Sequence, residues 1–285
     1  MFNISCFRES TDFKEAIYPY LSAAIMPNNM ILGMTDAALT TIPASTDFIG
    51  LVVQNSDKFM GATLSTKPGW LCLSQCHEDA VAPLLKGWIE AHGKPAHVFG
   101  PEPTISLAIA YLKNCFEMSP ATTQKNLAYE LLKVVPPARP TWGKMRLAVE
   151  EDLTFLPAWE ERMIIDCKLP EAHDTALHER CCANAKKFVG GSKIAIWEDA
   201  NGTPVSMCRK AREASFGTSV SGVYTPDAHR GHGYASHLVA LFSQKLLDDG
   251  ALRCLLFTDA ENPTSNGIYQ RIGYNYCCDF CRADY

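Results

Sequence analysis

The residue types best suited to binding chemistry lie in one short stretch, RGHGYA, which spans Arg230–Ala235 between an apolar run and a long amphipathic segment. Gly231 and Gly233 allow backbone conformations and close approaches that a Cβ atom would prevent. If a helix begins after them, its first N–H groups are free and its dipole favours an anion. Arg230 adds a cation, and several N–H groups pointing one way form a nest for a pyrophosphate. The stretch therefore predicts a phosphate cradle, with a plain glycine turn as the alternative.

Other motifs that use glycine turns do not match the sequence. A P-loop needs Gly-Lys followed by Ser or Thr, which is absent. A dinucleotide-binding fingerprint would need glycine or alanine at Ser236, and no acid ends a following strand about 20 residues on. A nucleophile elbow would need glycine at the end of GTSVS, where Ser221 stands. The cradle therefore belongs to a different class of site.

Histidines and cysteines offer further candidate chemistry. His229, His232 and His237 surround the cradle, and we interpret them as exposed, non-catalytic side chains. The cysteine cluster CCDFC, at residues 277–281, contains a C-x-x-C spacing, and the only other adjacent pair is Cys181 with Cys182. A tetrahedral zinc site needs four ligands. We therefore predict that the thiols pack as small hydrophobes and that no metal is bound.

Composition excludes several classes of protein. Hydrophobic residues make up 47% of the 285 residues and charged residues 20%, which is enough for packed cores and argues against disorder. A net charge of -5 argues against a general nucleic-acid binder, whose phosphate contacts need a basic face. We find neither a membrane-spanning run nor a secretory leader in the sequence, so we expect a cytoplasmic protein.

A proline-rich segment divides the chain. KVVPPARPTWGK, Lys133–Lys144, contains a Pro-Pro pair that cannot continue a helix or a central strand. We place a domain boundary near residue 140, which gives domains 1–140 and 141–285.

Both halves contain short apolar or alternating runs and segments of helical periodicity. The first half reads β-β-β-α-β-α, and the similar order in the second half indicates a weak internal duplication. The predicted strands are 48–54, 58–66, 70–75, 96–100, 193–199, 203–213, 218–225 and 252–259, with a further strand starting at 145. The predicted helices are 78–94, 103–114, 150–164, 233–250 and one starting at Asn262–Pro263, and 167–180 is predicted as a loop.

The segments VYTPDAHRGHGYASHLV and LFTDAENPTSNGIYQRIGY resemble the acetyl-CoA-binding core of the GNAT superfamily of N-acetyltransferases. The signature Q/R-x-x-G-x-G/A of that superfamily is matched by Arg230, Gly233 and Ala235. The resemblance covers roughly residues 145–285.

A second signature of the superfamily follows in order. An asparagine with a small residue three positions on and a tyrosine seven positions on is matched by Asn262, Ser265 and Tyr269. Gly273 and Tyr274 follow, as is usual in the superfamily.

The resemblance implies an α/β (α+β) protein with two GNAT-like domains, each a central mixed, mostly antiparallel sheet flanked by helices. In element order and in the stretch VFGPEPTISLAIAY, residues 1–140 resemble the degenerate domain that precedes the active one in some bacterial tandem members. No glycine cradle precedes the helix at Glu78, so we expect that this domain cannot bind acetyl-CoA in the usual way. We expect that domain to wall the substrate cleft or to mediate assembly.

The resemblance also implies a cofactor site. Pantetheine would lie between splayed strands, with main-chain bonds from Val223 and Thr225 and a side-chain bond from Asn262. The implied cofactor-binding residues are Val223, Tyr224, Thr225, Arg230, Gly231, His232, Gly233, Tyr234, Ala235, Ser236, Asn262 and Ser265.

The same resemblance assigns catalytic roles. Tyr269 would protonate the leaving thiolate as general acid, and a backbone N–H near Val223 would stabilise the oxyanion. The strand TSVSGVYT contains no carboxylate, so Glu213 is a candidate base and a water chain is the alternative.

The implied function is N-acetyl transfer from acetyl-CoA, a co-substrate, to a primary amine of a small molecule or peptide, by direct attack in a ternary complex. The alternative is a non-catalytic acyl-CoA-binding regulatory module. We expect a monomer or homodimer without nucleic-acid or membrane partners.

Overall fold

The computed structural model describes residues 2–41 and 48–285, which form two compact units. The first unit is built from the chain up to Ala128, with Asp259–Glu261 and Cys277–Tyr285 added from later in the sequence. The second unit consists of Tyr129–Thr258 and Asn262–Tyr276. Since neither unit is one continuous segment, the domain boundary near residue 140 stays a prediction.

The elements follow one another along the chain as listed here. The strands are β1 (Phe2–Phe7), β2 (Ile49–Asn55), β3 (Lys58–Ser65), β4 (Trp70–Leu73), β5 (His97–Pro101), β6 (Thr122–Leu131), β7 (Lys144–Leu147), β8 (Ile194–Glu198), β9 (Pro204–Ala214), β10 (Gly217–Tyr224), β11 (Cys254–Asp259) and β12 (Asn275–Asp284). The α-helices are α1 (Ser10–Leu21), α2 (Ile25–Thr41), α3 (Glu78–His92), α4 (Glu102–Phe116), α5 (Leu156–Asp166), α6 (Leu177–Gly190), α7 (Tyr234–Asp248) and α8 (Pro263–Arg271). Short 3-10 turns cover Ser22–Ala24, Glu150–Thr154, Pro170–His173 and Asp227–His229.

In the first unit, β1 to β4 pair in chain order as an antiparallel sheet, and β5 then pairs parallel to β4. The C-terminal part of β12 pairs antiparallel to the other edge of β5, from Phe280 opposite Pro101 to Asp284 opposite His97. Leu84 of α3, at the helical spacing of its apolar stripe, joins Leu71, Val98 and Ile105 in the buried core.

In the second unit, the strand order is β11-β10-β9-β8-β7, and all neighbours are antiparallel except the parallel pair β10–β11. Helices α5 and α6 share a buried cluster with the sheet, which includes Leu156, Met163, Cys181, Ile196 and Met207. Helix α7 packs on β8, β9 and β10. The predicted fold class is confirmed: each unit has a mixed, mostly antiparallel sheet flanked by helices.

Most predicted strands and helices agree with the structure to within a few residues, but the helix predicted from residue 150 begins at Leu156, after the 3-10 turn Glu150–Thr154. One further prediction is wrong. Residues 167–180, expected to be a loop, contain a 3-10 turn and the start of α6 at Leu177. The signal was present, because Leu177, Cys181, Ala185 and Val189 are buried at four-residue spacing along α6. The sequence analysis also missed β1, α1, α2, β6 and β12.

The predicted thiol chemistry can be compared with the described residues. Among the described residues, none of the twelve cysteines forms a disulfide, and burial raises the pKa of the Cys278 thiol to about 12. Among residues 2–41 and 48–285, no three His, Cys, Asp or Glu side chains are grouped as metal ligands. In the same ranges, every helix is too short or too polar to cross a bilayer.

Candidate functional site

A gap opens between the parallel strands β10 and β11. They pair only where they start, with Thr218 opposite Cys254 and Ser219 opposite Leu255. β10 continues to Tyr224 without a further β11 partner among the described residues. Strands that diverge in this way leave main-chain N–H and C=O groups facing the gap, where an extended ligand can bind as an added strand.

A bulge in β10 lies beside this gap. The pairing of β10 with β9 shifts register between Ser221 and Tyr224. Gly222 has φ +61, and a Cβ there would lie 3.0 Å from the Arg209 side chain. Glycine therefore suits this position on two grounds, the left-handed backbone and the close side chain. The bulge changes the direction of the main chain at the half-buried Val223.

The predicted cradle follows directly after the open end of β10. Gly231 and Gly233 both have left-handed backbones, with φ +84 and +81, and Gly233 is the N-cap of α7. No side chain caps this helix, and its first turn contains no acid. In the described part of the chain, the N–H groups of Gly231, His232 and Gly233 have no protein acceptor. This geometry suits an anion at the helix N-terminus.

The Arg230 side chain supports the cradle from outside. Its Nε donates to the Thr225 carbonyl oxygen at 2.9 Å. Its Nη2 lies 2.8 Å from a carboxylate oxygen of Asp227 and 3.3 Å from one of Asp166, near the end of α5. The guanidinium therefore joins the strand end, the turn and α5, and half of it remains exposed to solvent. The sequence could not show this, since Asp166 is 64 residues away.

Further contacts fix the loop that forms the cradle. Thr141 Oγ1 donates to the His232 carbonyl oxygen at 2.9 Å. The His232 and Tyr234 rings stack with centroids 5.4 Å apart, and His237 Nδ1 lies 3.2 Å from the Gly233 carbonyl oxygen. The histidines around the cradle are therefore in contact with its backbone or its rings. None of these contacts joins a histidine to a carboxylate, as a catalytic pair would require.

Asn262 caps α8, because its Oδ1 accepts from the Ser265 N–H at 3.0 Å. This confirms the capping role that an asparagine before proline predicts. The Asn262 side chain is exposed, and it directly follows the strand β11 and the short turn after it.

Tyr269 lies on the buried face of α8, with 7% of its surface exposed. Burial raises the pKa of the phenol well above its usual value, and the nearby Cys208 and Cys167 thiols act in the same direction. A hydrogen bond from the Ser265 side chain opposes this rise. The phenol is therefore protonated at neutral pH, which is the state that a general acid needs.

Glu213, the candidate base, lies apart from the cradle. It stands opposite Thr218, at the start of β10, whereas the gap and the cradle lie towards the end of that strand. Its carboxylate is 2.6 Å from Lys210 Nζ and 3.8 Å from Lys193 Nζ, in an exposed ion pair. The structure thus brings the cradle, the bulge and the open strands together, but not Glu213.

Sequence reasoning missed a buried carboxylate near the bulge. Glu160 of α5 is 4% exposed, and its Oε1 accepts from Arg209 Nη1 at 2.6 Å and from Asn184 Nδ2 at 3.2 Å. Arg209 Nε also lies 3.4 Å from Ser221 Oγ in β10. A signal existed, because Glu160 falls in the apolar stripe of α5, between Leu156 and Ile164.

Comparisons with known proteins agree with this geometry. Residues 201–283 match a family model described as FR47-like protein. The chain is similar to an acetyltransferase of the GNAT family from Colwellia psychrerythraea, at 11% identity and a TM-score of 0.64 over 99% of both chains. It is also similar to a GCN5-related N-acetyltransferase from Sphaerobacter thermophilus, at 14% identity and a TM-score of 0.63 over 100% of this chain and 95% of that one.

A third similar structure is a tandem GNAT protein from the clavulanic acid biosynthesis pathway, at 12% identity and a TM-score of 0.56. The match covers 100% of this chain and 98% of that one. No curated protein matches the chain. The predicted resemblance is confirmed: this is a protein with the GNAT acetyltransferase fold. Its FR47-like segment contains β10, the cradle and α8.

Proposed function

We propose that the protein is an acetyl-CoA-dependent N-acetyltransferase that acts on a primary amine of a small molecule or peptide. The observation that carries the proposal is the uncapped start of α7, which follows directly after the open end of β10. The open strand edge is followed directly by the anion cradle. This order suits a ligand that has an extended, amide-containing arm joined to a pyrophosphate. Acetyl-CoA has both parts.

In this proposal the cradle holds the pyrophosphate. The N–H groups from Gly231 to Ala235 supply donors without a protein acceptor, and the dipole of α7 adds a favourable field. The space in front of Gly231 is open, because a Cβ there would meet no atom within 4 Å. The left-handed backbones of Gly231 and Gly233 favour glycine, since a side chain at either position would be strained. Arg230 keeps the loop in this shape and leaves part of its charge towards solvent.

The open part of β10 would hold the pantetheine arm. Main-chain groups of Val223 and Thr225 face no β11 partner among the described residues. The Thr225 carbonyl oxygen already accepts from Arg230, so we assign hydrogen bonding with the arm mainly to the main chain of Val223. We also propose that the exposed Asn262 contacts the arm while it caps α8.

The reaction would use a protonated Tyr269. The amine nitrogen attacks the thioester carbon, the C–S bond breaks, and the leaving sulfur takes the phenol proton. The N–H of Val223, at the bulge, would stabilise the oxyanion. Because Glu213 lies at the far end of β10, we propose that the amine proton leaves through water in the gap. We further propose a cytoplasmic location, where twelve free thiols would stay reduced.

Calorimetric titration of acetyl-CoA tests the proposal. Gly233→Trp places an indole in the cradle, and we expect wild-type binding to be lost by at least about 100-fold in this variant. Gly250→Trp is the matched control, because Gly250 also has positive φ, is exposed and lies at the other end of α7. We expect it to bind as the wild type does.

Both variants place a bulky residue in a left-handed conformation and share its cost in stability. A difference in acetyl-CoA affinity between them is therefore due to the cradle. Circular dichroism of both variants would exclude unfolding. A folded wild type without affinity for acetyl-CoA would refute the proposed function. Binding without turnover over a library of amines would favour the regulatory module instead.

A further inference from the structure

Trp142 has the most exposed large apolar side chain among the described residues, at 84%. Single exposed apolar residues are common on protein surfaces and need no explanation by themselves. Trp142 differs from an ordinary surface residue in two respects, which concern how its backbone is fixed and where it lies.

The backbone at Trp142 is held firmly although the indole is free. Its carbonyl oxygen accepts from Trp197 Nε1 at 3.3 Å. The next residue, Gly143, has φ +129, and a Cβ there would lie 2.1 Å from the Glu198 carbonyl oxygen. Only glycine fits so close to β8, and this close approach determines the position of Trp142.

The residue before Trp142 binds the cradle directly. Thr141 Oγ1 donates to the carbonyl oxygen of His232, which stands between the two cradle glycines. The exposed indole is therefore one residue away from a side chain that contacts the anion site. No other aromatic ring lies against the Trp142 ring among residues 2–41 and 48–285. The nearby His232 and Tyr234 rings, in contrast, stack on each other.

We propose that Trp142 is the platform on which the adenine ring of acetyl-CoA stacks. This inference rests on the proposed function, because it places the nucleotide half of that ligand. A pyrophosphate in the cradle would carry its adenosine towards solvent, and the exposed indole of Trp142 directly follows Thr141, whose side chain bonds to the cradle loop. Aromatic side chains bind bases through their faces, and a rigid ring loses little entropy when it does so.

The test compares Trp142→Ala and Trp142→Phe with the wild type, with CoA as the titrant and calorimetry as the readout. We expect the alanine variant to bind CoA about tenfold more weakly, as the loss of one stacked base predicts. The phenylalanine variant should recover most of the affinity. Leu252→Ala is the control, because Leu252 is also exposed, at 67%, and precedes the paired start of β11.

Inorganic pyrophosphate, added as a competitor of CoA, distinguishes the contribution of the adenine base to affinity from that of the cradle. Its inhibition constant should be unchanged in Trp142→Ala, since it has no base to stack. Equal loss of affinity for CoA and pyrophosphate would mean that Trp142 shapes the cradle, and would overturn the inference. Unchanged CoA affinity in the alanine variant would overturn it while leaving the proposed function intact. A wild type that does not bind CoA would overturn both.

Discussion

Each unit has a helix that follows a strand, α3 after β4 and α7 after β10. The two differ in whether the backbone N–H groups before the helix are hydrogen-bonded. In the first unit, the residues between β4 and α3 give their N–H groups to the protein. The acceptors are the Ala62 carbonyl oxygen for Ser74, Asn28 Oδ1 for Gln75, Thr104 Oγ1 for Cys76 and the Met60 carbonyl oxygen for His77. In the second unit, His229 and Arg230 donate to carbonyl oxygens of their own turn, but the N–H groups of Gly231, His232 and Gly233, directly before α7, find no acceptor among the described residues.

The N-termini of α3 and α7 also differ in capping and in charge. The His77 side chain caps α3 by accepting from the Asp79 N–H at 3.3 Å, and Glu78 and Asp79 put two acids in its first turn. Helix α7 has a glycine N-cap and neither feature. Carboxylates at a helix N-terminus interact favourably with the helix dipole, and they would repel a phosphate bound there.

The adjoining strand pairs differ as well. β4 pairs with β5 over three consecutive residues, and a Cβ at Gly100 would lie 2.5 Å from the Leu73 carbonyl oxygen. The first unit therefore closes the space that the second unit leaves open between β10 and β11. This difference is why we propose a ligand site in the second unit alone: there, both the helix start and the strand edge lack internal partners among the described residues.

The largest expected effect concerns chemistry beside the open strands. Tyr269→Phe should lower kcat about 100-fold, because it removes the donor to the leaving sulfur, and should barely change acetyl-CoA affinity. Steady-state kinetics with an identified amine would measure it. Tyr274→Phe is the matched control, since the buried Tyr274 ring has its centroid 6.0 Å from that of Tyr269, and its hydroxyl bonds Ser243 Oγ at 2.8 Å.

The control should lose about 1 kcal/mol of stability and keep its kcat. Because burial raises the pKa of Tyr269, its deprotonation should cause no fall in rate between pH 7 and 10. An unchanged rate in Tyr269→Phe would remove this phenol from the mechanism.

A smaller effect should follow when α7 is made to resemble α3. Ala235→Glu puts a carboxylate in the first turn of α7, and we expect acetyl-CoA affinity to fall about tenfold, or ~1.4 kcal/mol. The free protein should become slightly more stable, by about 0.5 kcal/mol. Ala235→Gln has nearly the same shape without the charge, so similar losses in both variants would show that size and not charge is responsible.

The smallest effect is expected from the reverse change in the first unit. Replacing Glu78 by Gln and Asp79 by Asn should reduce stability by a few tenths of a kcal/mol, as measured by denaturant unfolding. The number of acetyl-CoA molecules bound per chain should not rise above that of the wild type. In the variant, β4 and β5 still approach each other closely at Gly100 and leave no gap for a ligand. A second bound acetyl-CoA per chain would show that the acids alone keep this helix start from binding.

Much of the fold and part of the site could be predicted from local sequence. The glycines at 231 and 233, the Asn-Pro start of α8 and the alternating strands each depend on neighbouring residues, and the structure has the elements where these signals lie. The loop assigned to 167–180 failed because Pro170 and the polar residues around it hid the start of a helical stripe at Leu177.

Other features depend on residues far apart in the chain. The contacts of Arg209 with Glu160 and of Arg230 with Asp166 span 49 and 64 residues, and no local pattern selects either partner. Separation of β10 from β11 after Ser219 is a property of two strands together. The distance of Glu213 from the cradle could have been expected from the sequence. Glu213 precedes β10 and the cradle follows it, so the two lie at opposite ends of that strand.

Strand β12 has a consequence for the order of events during synthesis. Residues 280–284 pair with β5, and they belong to the first compact unit although all of the second unit precedes them in the chain. N-terminal domains usually fold while the rest of the chain is still being made. Here synthesis must continue past residue 284 before β5 can acquire this neighbour. The first unit therefore matures last, and a nascent chain stalled after Ala128 would expose one edge of β5 to chaperones or to other strands.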